Sequence, residues 1–315
     1  MDKFGKRPVH PWLRRLVQPP HSSGARRFAR LGPGPVVKYV LKISYDGESF
    51  NGFQRQPNVV TVQGRLEQAL SKLFCESIEL VAAGRTDTGV HGIGQVIAFD
   101  SQVDRPLKGV VEGVNGRLGD SISISEAALL PDGSLFHPRF AAQARTYHYL
   151  VLSDCHASAH SLWGRRMWCL RDSLEHSRIS QACEVFLGEH DFTTFTSRCD
   201  MPSYTRTVLD FSARPAEQDF LPGKLWRIEV RANAFLRKMV RLMVAAVVES
   251  GIGLLSPDDV RKKLKALDPD TAPHPAPPSG LYFADVQYEP DPFSTAQLAL
   301  QTYRARPRRG FIFKG

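Results

Sequence analysis

One stretch, IELVAAGRTDTGVHGIGQVIAFD at residues 78–100, constrains the fold more than any other. Two short apolar runs, IELVAAG and GQVIAFD, flank a loop in which Gly84, Gly89 and Gly92 surround a single acid, Asp87. Apolar runs of this length, rich in branched side chains and bounded by glycine, read as strands. Asp87 is therefore expected at the apex of a loop held between two strands, with Arg85 two residues before it and His91 four after. Glycine allows unusual backbone angles and close approach of a ligand, and a neighbouring guanidinium favours the ionised carboxylate. An ionised, immobile carboxylate in a cleft is what covalent catalysis by aspartate requires. The competing reading is an Asp-Thr-Gly turn in which the side chain bonds its own backbone.

The rest of the chain supplies elements of both kinds. VVKYVLKISYDG alternates apolar and polar residues and ends at Asp-Gly, which predicts a strand entering a turn. TVQGRLEQALSKLF places Leu66, Ala69, Leu70 and Leu73 at helical spacing behind a Thr61 cap. LKGVVEGVNGRL predicts a helix ending at Asn115-Gly116, and SISISEAAL a strand. QARTYHYLVL predicts a strand with Tyr147 and Tyr149 on one face and His148 on the other. LEHSRISQACEVFLGEHDF reads as a helix broken at Gly188, LWRIEVRANAF as a strand, and FLRKMVRLMVAAVVESG as a long apolar helix from near Phe235 to Gly251. SPDDVRKKLKAL carries a Ser cap, a proline at the first helical position and two acids in the first turn. LYFADVQYEP is a last strand. Because strands and helices do not alternate strictly, the expected class is α+β: helices on one face of a large mixed, mostly antiparallel sheet.

Charge is uneven along the 315 residues. The net +9 is concentrated at the ends: residues 1–35 hold eight basic side chains against Asp2 alone, and YRARPRRGFIFKG adds five more with no acid. Residues 1–35 read as a basic leader, either a tail or the Arg-rich, acid-poor form of an organelle transit peptide, mitochondrial or plastid, with a cytoplasmic protein as the alternative. Residues 36–135 then form a first subdomain with the glycine loop, 136–290 a second, and 291–315 a basic tail. The apolar run MVRLMVAAVVESG is interrupted by Arg241 and falls short of a membrane span. Five cysteines without a C-x-x-C pair imply neither a zinc knuckle nor a disulfide framework.

Several lookalikes fail on chemistry. GRTDTGVHG has Val90-His91 where a phosphate-binding loop needs Lys-Ser/Thr. VHGIGQV lacks a third glycine and enters a strand, which excludes the dinucleotide fingerprint. CHASAH, with His156 and His160 four apart, reads as a surface loop rather than a metal site. GEHDF reads as turn chemistry after a helix. More informative is ARTYHY, where Tyr147 stands near Arg145 and His148, since aromatic rings on a sheet with cations nearby grip single-stranded bases. Arg237 and Arg241, one turn apart on the expected apolar helix, require an anion if buried, and Asp87 would serve.

AAGRTDTGVHGIGQV resembles the signature loop of the TruA-type tRNA pseudouridine synthases. YDGESFNGFQRQP with TVQGRLEQAL, LFHPRFAAQARTYHYLV, FLGEHDFTTF, RANAFLRKMVR and GLYFADVQY are similar to the family's other blocks in the same order, over about residues 37–288. The resemblance implies two α/β subdomains sharing one sheet with a basic cleft between them. It implies that Asp87 is the nucleophile, that Tyr147 packs on the target uracil, that Arg85 engages RNA and that Arg241 pairs with the acid. The reaction would isomerise uridine to pseudouridine in the tRNA anticodon arm, at positions 38–40 by family default, after flipping of the base. It calls for no cofactor or metal, and bacterial members are homodimers. Thr88 and Phe53 depart from the family pattern, where a small residue and tryptophan are common. The alternative is a catalytically silent RNA-binding or tRNA-folding module.

Overall fold

The computed structural model describes residues 36–197, 202–294, 299 and 301–305. The leader expectation for residues 1–35 lies outside the described residues. In the first half, β1 (Val37–Tyr45) leads to α1 (Val62–Phe74), whose first turn is capped by the Thr61 hydroxyl accepting from Gly64 N–H. β2 (Val81–Ala82) and β3 (His91–Ser101) enclose the glycine loop, and α2 (Leu107–Leu118) returns the chain to β4 (Ile122–Leu130). The second half starts with β5 (Ala142–Ser153), α3 (Ala157–Trp163), β6 (Trp168–Cys169), α4 (His176–Glu184) and β7 (Gly188–Asp191). β8 (Thr205–Ala216), β9 (Lys224–Ala232), α5 (Met239–Gly251), α6 (Pro257–Ala266), β10 (Leu281–Tyr288) and β11 (Gln301–Arg304) follow.

Among the described residues the strands form a single mixed sheet in the order β11-β4-β1-β3-β10-β5-β9-β8-β7, with β2 added on β3 and β6 on β5. The halves join where β10 runs parallel to β3, His91 opposite Tyr282 and Gly92 opposite Phe283. Every other pairing on the main path is antiparallel. Because side chains alternate across a sheet, the register fixes which residues share a face. Tyr45 is opposite Gly92, Gly92 opposite Phe283, and Phe283 opposite Tyr147. On that face α1 and α2 cover Leu41, Ile43, Ile97 and Phe99, while α4, α5 and α6 cover Tyr147, Tyr149, Ile228 and Val230. The α+β class with these helices on one sheet face is as the sequence implies.

Five elements differ from the sequence expectation. α2 runs through Asn115-Gly116 to Leu118, because the Asn115 side chain bonds Ile124 N and O across to β4 rather than ending its own helix. α4 stops at Glu184, and Gly188–Asp191 is an edge strand on β8. CHASAH forms part of the short helix α3 rather than a loop. α5 begins at Met239, four residues later than its hydropathy implies, because Lys238 sits at φ 61°, a left-handed conformation that cannot continue a helix. The stretch read as a C-terminal tail contributes β11, paired to β4.

Candidate active site

The loop from Gly84 to Val90 is held at three levels. Thr86 is buried, its hydroxyl 2.9 Å from the Tyr45 hydroxyl, and its carbonyl accepts from Phe53 N–H at 3.0 Å. Gln95, fully buried on β3, donates to Gly84 O at 3.0 Å. Val90 N–H bonds Asp87 O at 3.1 Å, closing the turn that presents the acid. Two glycines earn their place differently. Gly89 has φ +79°, which a side chain tolerates poorly. Gly84 gives up its Cβ to the Phe283 ring, whose nearest carbon would lie 2.8 Å from one.

Asp87 faces α5. Its Oδ2 lies 3.3 Å from Arg241 Nη1, with the two side chains 33% and 14% exposed. Arg241 is aimed by the proline-rich segment before β10: its Nε donates to Ala276 O at 2.7 Å, and Ala276 N–H returns a bond to Arg241 O. Tyr147 rises from β5 on the same face, 7% exposed, edge-on to Phe235 and Phe283 with ring centroids 5.0 Å from each. Burial, then Tyr45 and then the negative Asp87, push its pKa above the ordinary 10.0. The hydroxyl therefore stays protonated at neutral pH.

These groups lie in a cleft of about 990 Å³ that both halves of the sheet line. Arg55, Arg85, Arg139, Arg206, Arg237 and Lys238 also line it, and Asp87 is the one acid among the described lining residues. The field in the cleft is accordingly positive and attracts anionic polymers.

Asp87, Tyr147 and Arg241, singled out in the sequence, come together here. Arg85 lines the same cleft as an exposed side chain, while the described ion pair of Asp87 is with Arg241. Arg237 does not share a helical face with Arg241, because it precedes α5; its carbonyl accepts from Ser197 N–H and the Thr196 hydroxyl. His148 lies on the opposite side of β5 with Glu229 at 3.0 Å, so it does not flank Tyr147. His91 is buried outside the cleft, accepting from Gly47 N–H and stacked on Tyr282. Phe53 is buried against Tyr45 and Thr88 is exposed at the cleft. No group of three or more metal-ligating side chains occurs among the described residues.

Sequence reasoning missed the part played by Arg145. It is buried and donates from Nη1 to Asn233 O (2.7 Å) and Ala142 O (3.2 Å), and from Nη2 to Ala83 O (3.3 Å) and Arg139 O. One guanidinium thus ties the base of the Asp87 loop to two other segments, the turn leading into β5 (Arg139 and Ala142) and Asn233 after β9. The signal that could have found it is strand parity: Arg145 shares a face with Tyr147 and Tyr149, and a strand face with two tyrosines is the better candidate for the buried one.

A single acid, paired with a helix arginine at the floor of a basic cleft astride one continuous sheet, defines an α+β protein with enzyme-like geometry. Residues 42–141 and 182–289 match the family model described as tRNA pseudouridine synthase. The tRNA pseudouridine synthase A of Shewanella denitrificans is 38% identical over 265 residues, spanning 84% of this chain and 97% of that one. The proteins of that name from Colwellia psychrerythraea and Janthinobacterium sp. (strain Marseille) are each 38% identical, over 80% and 86% of this chain and 94% and 98% of theirs. The chain belongs to the tRNA pseudouridine synthase family, whose members are isomerases.

Proposed function

We propose that the protein isomerises uridine to pseudouridine in the anticodon arm of tRNA, at positions 38–40, with Asp87 as nucleophile. The observation that carries this reading is the Asp87–Arg241 pair at 3.3 Å beside the inward-facing Tyr147, in a cleft whose other charged lining groups are basic. The target uridine leaves the RNA stack to reach the loop, and Tyr147 packs on the flipped uracil. Arg241 orients the carboxylate, and Arg85, exposed along the cleft, contacts RNA. The carboxylate attacks the base or the sugar, and the bond from C1′ to N1 breaks. The uracil turns and C1′ bonds to C5. The C5 proton goes to solvent and N1 takes one up, so substrate and product are isomers and no redox partner enters. The protein works as a homodimer, on the strength of its resemblance to bacterial members.

Loss of the C5 hydrogen supplies the test. tRNA carrying tritium at uridine C5 releases label into water in the presence of the protein; release no greater than without protein, across several tRNAs, leaves a silent RNA-binding module as the reading.

Residues 1–35 act as an organelle-targeting segment in this proposal, on their basic, acid-poor composition. A fluorescent protein fused behind residues 1–40 is expected in mitochondria or plastids. A diffuse cytosolic signal would sink that part alone.

A further inference from the structure

We infer that Phe140 is a second stacking platform in the cleft, taking an unpaired base of the bound RNA other than the target uridine. The inference rests on the tRNA reading above and adds a subsite to it. Phe140 lines the cleft yet is 77% exposed. Exposed apolar side chains are common singly and need no explanation; Leu135 and Phe220 are exposed here without lining the cleft. Phe140 differs from them in its neighbours and in its backbone.

The neighbours are those of a base-stacking site. The His137 ring lies 4.4 Å from the Phe140 ring at 33°, and the Arg139 guanidinium carbon lies 5.9 Å from the Phe140 centroid. An aromatic face with a cation beside it accepts any base and the phosphate attached to it. Arg206, on β8, lines the same cleft and adds a second cation.

The backbone is pinned. Phe140 N–H and Ala141 N–H both bond His137 O, and Arg139 N–H bonds His137 Nδ1. The buried Tyr288 hydroxyl donates to Pro138 O at 2.9 Å, and Arg145 donates to Arg139 O. The ring is thus presented on a fixed turn instead of being free to fold back on the core, which lowers the entropy cost of stacking. Arg145 also stands two residues before Tyr147 on β5, so the platform and the uracil site are keyed to one strand. Tyr147 is nearly buried and can serve one base at most; a second base needs a second ring.

The test uses the full chain and an anticodon stem–loop RNA. Phe140→Leu keeps the apolar bulk and removes the ring, whereas Phe140→Trp keeps a π-face. Phe140→Leu is expected to weaken binding by about tenfold, the usual loss on removing a stacking ring, and Phe140→Trp to bind like the wild type. Because the ring is exposed, neither variant should change the thermal midpoint. 2-Aminopurine placed in turn at each loop position except the target should be quenched at one position by wild type and Phe140→Trp, and not by Phe140→Leu. Unaltered affinity of Phe140→Leu, or a loss without any change in quenching, overturns the inference. Tritium release by the wild type, run alongside, separates the two readings. Release with no Phe140 effect defeats the platform alone, and absence of release defeats the synthase assignment.

Discussion

Asp87 carries the most specific expectations. Asp87→Asn preserves size and leaves the turn bond from Val90 N–H to Asp87 O in place, but removes the charge facing Arg241. Tritium release is expected to vanish while the thermal midpoint survives; near-normal turnover would refute the nucleophile role. Tyr147→Leu removes a stacking ring worth about 1–3 kcal/mol, so single-turnover release should slow roughly 10- to 100-fold. Tyr147→Phe keeps the ring. Since burial, first among the causes, raises the phenol's pKa above 10.0, the hydroxyl does not titrate near neutrality. Wild type and Tyr147→Phe should therefore show pH–rate profiles of one shape between about pH 6 and 9. At this scale the sequence was informative where the signal was local. Three glycines around one acid placed Asp87 in a loop, and parity on β5 put Tyr147 and Tyr149 on one face with His148 on the other. For the partner of the acid the residues alone offered Arg85, two positions away, and Arg237 or Arg241 on the expected helix; Arg241 reaches the carboxylate because α5 packs beside the loop.

At the scale of elements, what was hidden is what depends on other elements. Hydropathy across residues 235–251 is continuous, so nothing local marks the left-handed Lys238 that delays α5. The delay puts Phe235 over Tyr147 and leaves Arg241 in the first turn, where the proline-rich segment can hold it. Asn115 is likewise a helix-ending residue by composition and a strand-binding one by packing. Arg145 shows the energetic side. Arg145→Ala would leave Ala83, Asn233, Ala142 and Arg139 carbonyls without their shared donor. An orphaned buried group costs about 1–3 kcal/mol, so a destabilisation of about 2–4 kcal/mol is expected after partial relaxation. Arg145→Lys retains charge but cannot fork between four acceptors. It should recover part of the stability and little of the turnover, measured as urea midpoint against single-turnover rate. Full recovery of both by lysine would show that charge alone matters.

At the scale of the molecule, mixed strand and helix signals without strict alternation indicated one α+β sheet, but not the parallel contact of β3 with β10, which joins residues 191 positions apart (His91 and Tyr282). The strands around that join carry buried and half-buried phenols, of which Tyr147 lines the cleft, and they make the fold sensitive to alkali. Burial pushes Tyr45, Tyr147, Tyr149 and Tyr288 above the ordinary 10.0, and Tyr282 to about 12. Below pH 10 these groups are protonated in both states and contribute nothing to the pH dependence. Above it the unfolded chain releases protons that the folded chain retains, so the unfolded state binds fewer protons and stability falls as pH rises. Each such group contributes a slope of up to about 1.4 kcal/mol per pH unit until its folded-state pKa is reached. The urea midpoint is expected to stay flat, as far as these groups control it, between about pH 7 and 9, then to fall from about pH 10 upward. Tyr147→Phe deletes one titrating group and should make that fall shallower, even if it shifts the midpoint at neutral pH. A decline equally steep in the variant would mean that Tyr147 ionises as readily in the folded protein as in the unfolded chain, against its burial between Phe235 and Phe283.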